Sequence, residues 1–341
     1  MKRLNNTLYI THATAYASLD GETIVIKKDD QTSIRLPLHN LENIVCFTYQ
    51  GISPALMAAC VERNIGIAFL NPNGRFQARI QGRTHGNILL RKKQYRIADD
   101  ETQRMAIARS FILGKIYNSR KVIERSLRDH GMIVDRTALS NASARLKELL
   151  NAILNSTNLL ELMAIEGNAA QIYFSVFDHL ILQQKDDFHF GERSRRPPKN
   201  NMNALLSFLY TLLMNEAASA LETVGLDPYV GFLHFDRPGR LSLALDLMEE
   251  LRPILGDRMA LTLVNRRQIN GKGFTRKESG GVIMDDETRK TVLQAWQERK
   301  KEEITHPYLK ERIPIGLIPH VQAMLLARHL RGDLDAYPPF L

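Results

Sequence analysis

Short apolar runs dominate the first 80 residues. Residues 7–11, 16–19, 23–27 and 33–36 are rich in β-branched or aromatic side chains and read as strands. Asp20-Gly21 and Asp29-Asp30 punctuate them as hairpin turns. Residues 43–48 form a further apolar strand. Ser53 then caps a helix that carries Pro54 at its first position and runs to about Arg63. Residues 65–70 return to strand, and Asn73-Gly74 marks the next hairpin. From residue 96 the apolar spacing shifts to threes and fours, the period of a helix. It predicts helices over 102–127, 139–154, 155–182, 204–224, 287–301 and 315–330, with 258–264 a helix or strand. The expected fold class is α+β, a small N-terminal β-rich domain followed by a larger all-α domain.

At 341 residues the chain exceeds one ordinary core, so two domains are expected. The boundaries drawn are 1–80 for a β-rich domain assigned to structure and assembly, 81–95 for a basic linker, and 96–341 for the helical domain. Arg83, His85, Arg91, Lys92 and Lys93 supply the charge of the linker. The apolar and charged fractions, 44% and 24%, are those of a globular chain. A net charge of +9 points to a polyanionic partner, nucleic acid first, although an ordinary basic protein fits that number equally well. Cys46 and Cys60 make neither a disulfide framework nor a zinc pattern, and read as buried small residues. No apolar run approaches a membrane span of roughly 18–20 residues. The stretch Met1-Lys2-Arg3-Leu4 lacks the apolar core of a signal peptide, and a cytoplasmic location is expected.

Two places break the apolar pattern with acids. The fourth helix carries the stripe Leu159, Leu162, Met163, Ala169, Ala170, Tyr173, Val176 and Phe177, and Glu166 falls on it. A carboxylate on a buried face needs a cation or donors. Gly167, beside it, suits close approach by another group. The second place is His234-Phe-Asp-Arg-Pro-Gly-Arg240, a turn leading into a short helix that stops before Pro253. There Asp246, Glu249 and Glu250 share one face, opposite Ala244, Leu247, Met248 and Leu251. Glu166, His234, Asp246 and Glu249 together form an oxygen-rich set with one imidazole and no thiolate. That set suits Mn²⁺ or Mg²⁺ better than structural zinc, and such a metal stabilises charge on phosphorus. A Glu paired with a core arginine and a hydrogen-bonded core histidine account for the same residues without a metal.

Basic loops surround these positions in sequence. Arg193, Arg195, Arg196 and Lys199 lie in a proline-broken loop that could grip phosphates. Asn203 is expected to cap the long helix that follows. Arg237 and Arg240 flank the turn after His234. Residues 266–287, with Arg266, Arg267 and Lys272, read as a mobile glycine-rich loop able to close over nucleic acid. The tail Tyr337-Pro-Pro-Phe-Leu341 reads as flexible, free to dock on a partner.

Three motifs carry a resemblance. Ile165-Glu166-Gly167-Asn168-Ala169-Ala170-Gln171-Ile172-Tyr173-Phe174 resembles the Glu-Gly-x-Ala-Ala-x-x-Tyr-Phe motif of the CRISPR-associated integrases that capture new spacers. Arg196-Pro197-Pro198 with Asn203, Leu205, Leu206, Ser207, Phe208 and Tyr210 looks like that family's second motif. Gly231-Phe-Leu-His234, followed by Arg237-Pro-Gly-Arg240, Ser242, Leu243, Leu245, Asp246, Leu247, Met248 and Glu249, looks like its third. The resemblance spans essentially the whole chain. It implies a Mn²⁺/Mg²⁺-dependent DNA endonuclease and integrase of a type I system. Glu166, His234 and Glu249 match the metal ligands, and Asp246 matches an acidic position supporting the site. Glu250 and Asp236 match no catalytic position and are expected at the surface or behind the site. The implied reaction is attack by the 3′-hydroxyl of captured double-stranded DNA on a phosphodiester at the edge of a CRISPR repeat. The resemblance also implies a homodimer through the β-rich domains, with two dimers bridged by a smaller CRISPR adaptation protein. A stand-alone metal nuclease acting on branched DNA and a non-catalytic DNA-binding scaffold are the alternatives.

Overall fold

The computed structural model describes residues 6–12, 14–29, 31–47, 51–71, 76–80 and 88–341. The expected turn residue Asp30, the end of the 43–48 strand at Thr48, the Asn73-Gly74 hairpin and the linker residues Arg83 and His85 lie outside these. The chain is β-rich at its N-terminal end and helical beyond. It divides into two compact units. One holds Met1–His85, Asp285–Glu303 and Pro314–Leu317, and the other Gly86–Met284, Ile304–Ile313 and Ile318–Leu341.

The first unit contains β1 (Asn6–Ile10), β2 (Tyr16–Asp20), β3 (Thr23–Lys28), β4 (Gln31–Pro37), β5 (Leu41–Cys46), α1 (Pro54–Glu62), β6 (Gly66–Leu70) and β7 (Phe76–Ile80). β2, β3 and β4 form an antiparallel meander. β1, β5 and β6 run parallel, and β7 closes that sheet antiparallel. Parallel β5 and β6 need a crossover, and α1 supplies it. Ser53 caps α1, its Oγ accepting from Leu56 N–H at 3.2 Å, as the Ser-Pro pair predicts. Ile24, Ile44, Leu56 and Ile67 centre the core. Cys46 and Cys60 lie in it as free thiols, pushed by burial up to about 12 and about 11, which keeps them unreactive.

The second unit begins with α2 (Ile88–Asp99), which carries Arg91, Lys92, Lys93 and Arg96. Then follow α3 (Glu101–His130), α4 (Arg136–Asn155), α5 (Leu159–Ser175), α6 (Lys185–Phe188), α7 (Asn201–Thr223), α8 (Ser242–Glu249) and α9 (Arg258–Asn265). Asp100, Asp135 and Asn158 cap α3, α4 and α5 through the N–H groups of Gln103, Ala138 and Glu161. β8 (Phe274–Arg276) and β9 (Val282–Met284) form a hairpin. α10 (Asp286–Lys301) belongs to the first unit, where Gln297 donates to the Thr7 carbonyl at 3.3 Å. β10 (Glu303–Thr305), β11 (Arg312–Pro314) and α11 (Ile318–Arg331) complete the chain.

Several expectations are corrected. The helix predicted over 155–182 is α5, which ends at Ser175 and gives way to a short 3₁₀ turn at Phe177–Leu180. Asn200, not Asn203, caps α7, accepting from Asn203 N–H at 2.8 Å. Residues 266–287 are an ordered hairpin rather than a mobile loop, tied to the proline loop by Val282 N–H donating to the Pro198 carbonyl at 2.8 Å. The tail is docked, not free: Tyr337 is 2% and Phe340 4% exposed. α7 is long and apolar enough to cross a membrane, by length and composition alone, against the expectation that no run approached that length. Most of that helix is buried inside the unit, as a core helix is.

Candidate metal and DNA site

α8 is buried almost all round, so its acids have no bulk water to solvate them. Asp246 is fully buried and finds four donors instead. Its Oδ2 accepts from the N–H groups of Phe232 (2.6 Å) and Leu233 (2.9 Å). Its Oδ1 accepts from His234 N–H at 3.0 Å and from His234 Nδ1 at 2.6 Å. The irregular segment 231–234 is thereby clamped to α8. Gly231 is required there, since a Cβ would stand 2.8 Å from both Asp246 Oδ2 and Ser242 Cβ. With Nδ1 committed to Asp246, Nε2 is the ring nitrogen left to bind a metal.

Glu249, one turn on, is 3% exposed and meets two cations. Arg252 Nη1 lies 2.7 Å from its Oε1, and Lys115 Nζ lies 2.7 Å from its Oε2. Burial opposes ionisation of Glu249, but the Arg252 guanidinium, Lys115 ammonium and His234 outweigh it and hold the carboxyl well below its ordinary range. The same Lys115 ammonium contacts Glu166 Oε1 on α5. Glu166 and Glu249, far apart in sequence, thus share one cation.

Glu166 differs from expectation in one respect. Its side chain is 28% exposed, so the stripe position is a rim rather than an interior. Gly167 beside it has open space where a Cβ would stand, and among the described residues no other group outside its own helix approaches that point. Among the described residues no three acid, histidine or cysteine side chains close on one point as a metal cage does. The donor set still fits a hard divalent cation in kind: two carboxylates already gathered around positive charge, and an imidazole oriented by a buried aspartate.

The expected phosphate-binding residues fall into different roles. Arg195, Arg196, Lys199, Arg237, Arg266, Arg267 and Lys272 are exposed, and Arg240 is half-buried. Arg193 turns inward: its Nη1 donates to Asn203 Oδ1 at 2.7 Å and its Nη2 to Ser207 Oγ at 3.1 Å. Arg276 Nη2 donates to the Lys199 carbonyl at 3.3 Å, so the two basic stretches 193–199 and 266–277 meet at one place.

Sequence reasoning missed Lys115, Arg252 and a buried polar group behind them. Asp257 Oδ1 accepts from Tyr210 OH at 2.5 Å, and Tyr173, Arg193 and Arg252 also act on that carboxylate. Lys115, Arg193, Arg195, Arg252, Tyr173, Tyr210 and Asp257 line one cavity of about 30 Å³. The Glu250 expectation is also corrected. Glu250 is fully buried and accepts from Tyr337 OH, from Gln322 Nε2 (3.1 Å) and from Phe340 N–H (2.7 Å). It is the receptor for the tail. Asp236 is exposed, as expected.

The family model for CRISPR associated protein Cas1 matches residues 8–298. The chain belongs to the Cas1 family. A CRISPR-associated endonuclease Cas1 of Rhodospirillum rubrum is 51% identical, over 100% of this chain and 99% of its own length. The solved CAS1 protein from Thermotoga maritima is 26% identical and superposes with a TM-score of 0.83, covering 98% of this chain and 99% of its own. A chain of a Cas6-RT-Cas1–Cas2 complex superposes with a TM-score of 0.84 at 22% identity, over 100% of this chain and 36% of its own, a likeness of fold alone.

Proposed function

We propose that this Cas1-family chain is a metal-dependent DNA endonuclease and integrase. It inserts short foreign DNA fragments into a CRISPR array by attack of a 3′-hydroxyl on a repeat-edge phosphodiester. The observation that carries the reading is the bridging of Glu166 and Glu249 by one cation beside an imidazole that Asp246 orients. Glu166, His234 Nε2 and Glu249 hold Mn²⁺ or Mg²⁺. When bound, such a cation stabilises the charge that builds on phosphorus. Asp246 fixes the His234 tautomer by accepting from Nδ1. Arg252 keeps Glu249 ionised, hence able to ligate.

Arg195, Arg196 and Lys199, with Arg237, Arg240, Arg266, Arg267 and Lys272, hold backbone phosphates of the fragment and the repeat. Arg193 holds the loop that presents them. The β-rich segment 1–80 pairs two copies, and the helical unit, to which the basic helix α2 belongs, carries the chemistry. A smaller adaptation protein bridges two dimers, as the Cas2-containing assembly of the fold neighbour suggests. Type I membership rests on the motifs, and the cytoplasm is where this DNA is met.

The test is strand transfer of a labelled duplex into a supercoiled repeat-bearing plasmid, with Mn²⁺ and the smaller partner. Wild type is expected to give joined product, and Glu166→Ala to bind DNA without joining it. Cleavage without joining would favour the branched-DNA nuclease. Binding indifferent to EDTA and to the substitution would favour the scaffold.

A further inference from the structure

Lys115 has no place in the proposed ligand set, yet it stands between two of its members. It sits on α3 and is 9% exposed. Its single ammonium is shared by Glu166 and Glu249. A divalent cation on those carboxylates competes with the ammonium between them, because like charges a few ångströms apart in a partly buried site repel. The cavity that Lys115 lines has room for a group the size of a water molecule, and an ammonium is no larger.

That cavity is not neutral. Arg193, Arg195 and Arg252 line it against one carboxylate, Asp257. Among the described residues the buried Nε atoms of Arg193 and Arg252 find no hydrogen-bond partner. Lys115 already borders the cavity, and turning its ammonium away from Glu166 and Glu249 adds positive charge there that a bound anion would offset. A DNA phosphate is the anion this protein meets.

We propose that Lys115 is a two-position cation that couples metal binding to phosphate binding. Without metal it neutralises Glu166 and Glu249. With metal on those carboxylates, its ammonium turns to the cavity and, with Arg195 and Arg252, contacts a backbone phosphate. Metal and DNA then each strengthen the other's binding by the same factor. The inference rests on the metal reading of Glu166 and Glu249.

The test is Mn²⁺ titration of the full-length protein by calorimetry, with and without a short DNA duplex, for wild type, Lys115→Met and Lys115→Arg. In wild type, DNA is expected to tighten Mn²⁺ binding about tenfold, within the usual range of coupling between two sites. Lys115→Met is expected to bind Mn²⁺ about tenfold more tightly than wild type without DNA, and to lose the coupling. Lys115→Arg, which keeps the charge, is expected to bind no more tightly than wild type. Lys115→Gln replaces Lys115→Met if the latter does not fold. Equal Mn²⁺ affinity in wild type and Lys115→Met, or coupling that survives the substitution, overturns the proposal. A parallel titration of Glu166→Ala separates the two readings. If Glu166→Ala binds Mn²⁺ as wild type does, the metal site itself is wrong. If it loses Mn²⁺ while Lys115→Met matches wild type, only the role of Lys115 is wrong.

Discussion

Asp257 should contribute a fall in the stability of this protein as pH rises through the acid range, and Asp257→Asn should remove that share of it. The carboxylate is 1% exposed and accepts from Tyr210 OH, with Tyr173, Arg193 and Arg252 also acting on it. Burial raises it from 3.8 to about 6, against the pull of those donors and guanidiniums. An unfolded chain releases this proton near 3.8, whereas the folded chain keeps it to about 6. Between those values the folded state binds more protons, so stability declines with rising pH and levels off above about 6. The interval, at roughly 1.4 kcal/mol per pH unit, amounts to about 3 kcal/mol.

Urea unfolding followed by far-ultraviolet circular dichroism measures it. The single tryptophan, Trp296, lies on α10 in the first unit and would report the wrong region. Other carboxylates titrate in the same window, so the quantity to read is the stability of wild type minus that of Asp257→Asn at each pH. That difference should fall by about 2–3 kcal/mol from about pH 4 to about pH 7. A flat difference would refute the claim that burial shifts Asp257. A rising difference would mean that Tyr210 and the two guanidiniums outweigh burial, so that the site holds a permanent anion.

Three further outcomes are expected. Tyr337→Phe removes a hydroxyl donor to the buried Glu250 and should cost about 2 kcal/mol in urea unfolding; no change would show that the tail is not docked in solution. Asn203→Ala removes the acceptor of Arg193 and Ser194 N–H and the donor to the Glu192 carbonyl, which should cost about 2–3 kcal/mol and expose 191–199 to proteolysis; unchanged cleavage there would sink the idea that Asn203 organises the loop. Replacing Arg195, Arg196 and Lys199 by alanine should reduce the slope of log Kd against log salt by about 0.9 for each phosphate no longer neutralised, and an unchanged slope would place the DNA elsewhere.

The strands and helices were legible because local chemistry decides them. Ser53-Pro54 capped α1 where the pair predicted, and the apolar period located α3, α4 and α10 to within a few residues. Boundaries failed where a side chain chose a tertiary partner over a local one. Asn203 looks like a helix cap, but Asn200 takes that role and frees Asn203 to bind Arg193, Ser194 and Glu192. Glycine-rich composition suggested that 266–287 is mobile, yet the Val282 bond to Pro198 and the short β8–β9 ladder order it. Proline-rich composition suggested a free tail, but composition does not reveal a buried carboxylate waiting for Tyr337 OH and Phe340 N–H.

Lys115 was missed for a different reason, since its signal is visible in the sequence. On α3 the buried stripe runs Ala108, Phe111, Ile112, Ile116, Ser119 and Val122, and Lys115 interrupts it as Glu166 interrupts the stripe of α5. A charge on an apolar stripe is costly unless an opposite charge meets it. Two interrupted stripes of opposite sign are therefore evidence for each other: each supplies what the other lacks, and the pair predicts that α3 and α5 face one another at those positions. The structure joins them there, through the ammonium and Glu166 Oε1. Taking the acids alone yields a ligand list. Taking acids and bases together yields a site with its own resident cation, Lys115, shared by Glu166 and Glu249.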